Sequence, residues 1–108
     1  MSQYTLLGSR DPFSSRDADF VFDLALKLKK AGNDVTLFLL ENGVLAARAG
    51  AEVDGLSAAV SAGVHVKADD FALRERGITA ERLMSGVETA PLDVVVDHMA
   101  AGHKVIWD

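Results

Sequence analysis

The sequence predicts an α/β fold, a three-layer α/β/α sandwich around a parallel sheet of about five strands. Three observations carry this. VTLFLL, residues 35–40, is a continuous apolar run without polar alternation, the pattern of a strand buried on both faces. Short apolar runs alternate with helical patterns along the chain, and that order implies parallel strands joined by covering helices. The chain has 108 residues, enough for one core and too few for two. Residues 1–108 therefore read as a single domain, without internal repeat, linker or low-complexity segment.

Each element follows from its own signals. QYTLLG, residues 3–8, is a short strand followed by the loop 9–14. Ser14 or Ser15 can accept from the free N–H groups of the next helix, and Asp17 and Asp19 suit its positive end. That helix runs to about Lys30, with Lys27, Lys29 and Lys30 near its negative end and Gly32 as its stop. After VTLFLL, Asn42-Gly43 turns into the small-residue helix VLAARA, and a further helical piece covers Leu56 to Ala62. VHV, residues 64–66, is the third strand. Asp69 and Asp70 follow it, then a short amphipathic helix that closes at Gly77. A turn of helix around Thr79 and Arg82 precedes a brief fourth strand starting at Val87. Pro91 opens the last helix, where its missing N–H costs nothing; Gly102 ends it, and KVIW, residues 104–107, is the final strand.

The first helix carries a second message. Asp19, Asp23, Lys27 and Lys30 are spaced four, four and three apart, so the charges form one stripe, and Asp23 before Lys27 is the favourable order. Most of the remaining circumference is apolar, more than the stripe of a little over 100° that one sheet requires. The surplus predicts contact with another subunit through Phe20, Phe22 and Leu26; the alternative is a long neighbouring loop that covers the face.

Composition narrows the function. A net charge of −5 offers no basic footprint for nucleic acid. No stretch reaches the roughly 18 apolar residues of a membrane span, and no export signal is evident, so a cytoplasmic protein is expected. The chain contains no cysteine, hence no disulfide, thiolate nucleophile, persulfide or zinc–sulfur site.

Parallel sheets gather ligands at the carboxyl ends of their strands. Arg10, Ser14, Glu41, Asn42, Lys67, Asp69 and Asp70 are the polar candidates there. The loop GSRDPFSS is neither a P-loop nor a dinucleotide fingerprint, although Arg10, Arg16 and the helix-start amides suit an anion. Asp69 and Asp70 invite an acid/base reading, but neighbours on a helix point about 100° apart. Either is a good N-cap for FALRER, and Asp70 can pair with Arg74 one turn on. Neither HExxH nor another metal-ligand spacing links His65, His98 and His103, and no G-x-S-x-G elbow is present. Neither a metal nor another cofactor is implied.

LFLLENGVLAA (37–47) followed by VHVKADDFALRERGI (64–78) resembles the DsrE/DsrF/DsrH-like superfamily, the sulfur-relay or Tus group. Glu41-Asn42-Gly43-Val44 is similar to the Gln-Asp/Asn-Gly-Val of its DsrH/TusB branch, with Glu in place of Gln. Val64 to Val66, Asp69-Asp70 and Arg76-Gly77 are similar to that branch's second element, and KVIWD to its last strand. The resemblance implies a strand order near 4-3-2-1-5 and assembly into homo-oligomers, or hetero-oligomers with a cysteine-bearing relative. In the sulfur-carrying members a cysteine near the end of the third strand holds a persulfide. The matching neighbourhood here, Lys67 to Asp70, holds none, and the thioethers of Met1, Met84 and Met99 cannot become thiolates.

Two functions fit these residues: a non-catalytic oligomeric subunit of a sulfur-relay or sulfur-oxidation system, or a small-molecule or anion-binding module at the carboxyl edge of the sheet. A hydrolase or isomerase built on Asp69 and Asp70 with a histidine is a more distant third.

Overall fold

The computed structural model describes residues 2–107; Met1 and the Asp108 that closes KVIWD lie outside them. Five parallel strands, β1 (Gln3–Gly8), β2 (Asp34–Leu39), β3 (His65–Asp69), β4 (Val87–Ala90) and β5 (Lys104–Trp107), form one sheet in the order β4-β3-β2-β1-β5. Four α-helices accompany them: α1 (Asp17–Lys30), α2 (Asp54–Ser61), α3 (Asp70–Glu75) and α4 (Asp93–Ala100). Two 3₁₀ segments, Glu41–Ala47 and Ala80–Arg82, complete the helical elements among the described residues. The expected architecture and strand order are those observed.

The central strands are apolar on both sides, and each side feeds a different core. Leu6, Leu37, Leu39 and Val66 pack with Val21 and Phe22 of α1 and Leu56 of α2 in the larger cluster. Leu7, Phe38 and Leu40 point the other way and meet Ala90 and Val95, the latter on α4. This explains why VTLFLL shows no alternation. The second face is the thinner one. Its helix α4 has eight residues, and Leu92, Val96 and Met99 remain exposed along it.

On α1 the surplus of apolar residues is smaller than its sequence suggests. Ala18, Val21, Phe22 and Ala25 are buried, and Leu24 and Leu28 pack against the same core. Phe22 is 2% exposed, with its ring against Gly55 of α2, whereas Phe20 is 59% exposed. Phe22 therefore belongs to the core, and its expected place in a subunit contact is corrected: α2 covers the flank of α1 that the helix periodicity left open. Leu26 is half-buried.

Candidate functional site

The carboxyl edge is built by the ends of β2 and β3 and the segments that leave them. Asp69 has extended backbone, and its carboxylate accepts a hydrogen bond from the Ala72 amide at 3.2 Å, the expected N-cap of α3. Asp70 sits on the first turn, 3.8 Å from Arg74, and lines a cavity of about 520 Å³ with Leu73, Arg74 and Thr89. No histidine lines that cavity. The two aspartates therefore have different tasks and do not form an acid/base pair.

Lys67, just before them, points to the α4 side of the sheet and pairs with Glu88 at 3.4 Å. Arg10 pairs with Asp17 at 3.4 Å. Each cation already has a carboxylate, and nothing brings the two to a common cavity. Ser15, not Ser14, supplies a hydroxyl to the start of α1, accepting from the Asp17 amide at 3.2 Å. Ser14 instead donates its backbone N–H to the Asp11 carbonyl. Glu41 is exposed and takes a left-handed backbone, φ 50°, a conformation disfavoured for residues with a Cβ.

Asn42 is the candidate that the structure connects most fully. Its side-chain oxygen accepts from Nε and Nη2 of Arg76 at 3.2 and 2.9 Å, and Nη1 of Arg76 donates to the Ala72 carbonyl at 3.1 Å. The segment after β2 is thus tied to the end of α3. Arg76 also lines a cavity of about 470 Å³ with Arg48 and Arg82. Sequence reasoning missed Arg48 and Arg82. They lie 34 positions apart, and an antiparallel bridge between Arg48 and Leu83 brings their segments together. The Ala49 amide donates to the Arg82 carbonyl at 2.6 Å, and that of Met84 to Ala47 at 2.8 Å.

A second polar arrangement lies under α4. The buried hydroxyl of Thr5 is 2.8 Å from Nδ1 of His98 and 3.1 Å from Nδ1 of His103, and the two rings stack at 4.2 Å. Burial, then the nearby His103 and Lys67, holds the His98 pKa below its ordinary value, with Asp34 and Asp97 pulling the other way. His65 is exposed at the start of β3, 3.5 Å from Asp34. Among the described residues, no three His, Asp or Glu side chains converge as metal ligands would, and no helix is long and apolar enough to cross a membrane.

The DsrE/DsrF-like family model matches residues 2–107. The chain belongs to the DsrE/DsrF-like family. A protein of Methanopyrus kandleri, MK0008, is 27% identical over 110 residues, covering 95% of this chain and 91% of that protein. Among solved structures, the ychN protein from E. coli superposes with a TM-score of 0.91 at 23% identity, each chain covered in full. MTH1491 from Methanobacterium thermoautotrophicum superposes at 0.79 with 17% identity, again with both chains covered in full. BT1422 from Bacteroides thetaiotaomicron gives 0.80 at 17%, covering 99% of this chain and 95% of that one. These likenesses establish the fold. At the end of β3 this DsrE/DsrF-like chain has Lys67, Ala68, Asp69 and Asp70, and no cysteine.

Proposed function

We propose that the chain is a non-catalytic, oligomeric subunit associated with intracellular sulfur relay or sulfur oxidation, which does not itself carry a persulfide. One observation carries the reading. At the end of β3, where the resemblance puts the carrier cysteine, the chain has an aspartate whose carboxylate caps α3. A persulfide requires a thiol, and no side chain of this sequence supplies one. Chemistry of that kind would then reside in a partner, as the likeness to the DsrH/TusB branch suggests.

The surface supports an assembly. Leu92, which precedes α4, and Val96 and Met99 on it are spaced four and three apart and are all about half exposed or more, as are Phe20 on α1 and Trp107 on β5. Apolar side chains aligned on one helix face mark contact surfaces more often than scattered ones do. A homo-oligomer and a hetero-oligomer with a cysteine-bearing relative both fit.

Native mass spectrometry of the tagged chain recovered from its source cells, with co-purifying chains identified, tests the reading. The expected result is an assembly that contains a cysteine-bearing relative. A homo-oligomer alone, found under conditions where the cell's relatives are expressed, would overturn the relay role and leave the oligomer.

A further inference from the structure

The chain carries a net charge of −5, yet three arginines, Arg48, Arg76 and Arg82, line one cavity of about 470 Å³. Glu81 is the single carboxylate there. Its own backbone amide and the Thr79 hydroxyl engage that carboxylate and hold its pKa below the usual value. Among the described residues, Glu81 makes no ion pair with any of the three arginines.

The arginines are held in different ways, and each keeps donors in reserve. Arg76 is the fixed member, gripped by Asn42 and the Ala72 carbonyl, with the Glu75 carboxylate at 3.9 Å. Arg48 donates Nε to the Leu45 carbonyl at 2.9 Å, which leaves both terminal amino groups free, and its guanidinium lies 5.8 Å from the Phe13 ring. Arg82 is exposed, and among the described residues its side chain has no partner. The backbone pairing of residues 47–49 with 82–84 keeps Arg48 and Arg82 at the same rim. Like charges gathered on a rigid frame repel one another, and a bound anion would remove that cost.

We propose that this cavity binds a small dianionic oxyanion of the phosphate or sulfate class, either free or as the terminal group of an organic ligand. Guanidinium forks match pairs of oxygens on such groups. The adjoining 520 Å³ cavity shares Gly77, Ile78 and Glu81 with this one and adds Leu73 and Ala80, so an organic body has a place to lie. This site goes beyond the subunit role and does not depend on it. Neither Arg10 nor Lys67 takes part.

The test is isothermal titration of the purified full chain with inorganic phosphate, inorganic sulfate and butyl phosphate, at constant ionic strength. Saturable binding is expected. Arg82→Gln, which removes a side chain without structural partners, should weaken it about tenfold or more. Arg76→Lys keeps the charge but not the fork and should weaken it several-fold, whereas Arg10→Gln should leave it unchanged. Tighter binding of butyl phosphate than of inorganic phosphate identifies the organic ligand, and equal affinities identify the free oxyanion. The proposal is overturned if none of the three saturates, or if Arg82→Gln binds as the unsubstituted chain does.

Discussion

Asp69 shows how one residue's chemistry is settled by its hydrogen bonds. A carboxylate that accepts the Ala72 amide at the start of α3 stabilises that helix. Asp69→Ala should therefore cost about 1 kcal/mol in urea-induced unfolding, and Asp69→Asn, an equally good cap, much less. Equal losses for the two would mean that the charge matters and the cap does not. His98 makes a second prediction at this scale. Because its pKa is lowered in the folded chain, the unfolded chain binds more protons between the folded value and about 6.5. This contribution to stability is complete above about pH 6.5 and is lost as the pH falls through the folded pKa. The urea midpoint should drop between pH 7.5 and 5.5, and His98→Gln should flatten that slope. The residue types were legible in the sequence, and so was the cap after β3. The stacked histidines were not, because His98 and His103 meet only where α4 ends against Thr5 of β1.

At the scale of elements, α1 separates two phenylalanines two positions apart. Phe22→Ala should destabilise the chain by about 3–5 kcal/mol, the usual cost of emptying a core aromatic site. Phe20→Asp should leave thermal unfolding of the chain nearly unchanged and lower the native mass if α1 contributes to the assembly. An intact mass would direct attention to Val96 and Met99 on α4 and Leu92 just before it. The segment after β2 gives a further case. Gly43 has an ordinary backbone conformation, and it is Glu41 before it that takes positive φ. What requires glycine is space: a Cβ at residue 43 would press on the Gly8 carbonyl oxygen, which also accepts the Leu40 amide at 3.0 Å. Gly43→Ala should therefore lower the thermal midpoint more than Gly50→Ala, although Gly50 has φ 85° and open space around it. Asn42-Gly43 reads in the sequence as a turn, and the turn is there. Its reason lies in a neighbouring strand that the local pattern does not contain.

For the whole molecule, the five-strand order brings the ends of β2 and β3 side by side, so that Asn42 meets Arg76 across 34 positions. The same packing leaves one sheet face with a single short helix over it, and Leu92, Val96 and Met99 stay exposed there. Fold class, element order and the lack of any thiol were all readable from the amino-acid order alone. Those follow from hydropathy period, capping residues and composition, which are local or additive properties of the chain. The tertiary structure decided which apolar residues of α1 are core, which charged side chains neutralise one another, and which three arginines surround a cavity. These depend on distances between residues far apart in sequence, and such distances exist only after the strands pair and the helices choose their faces.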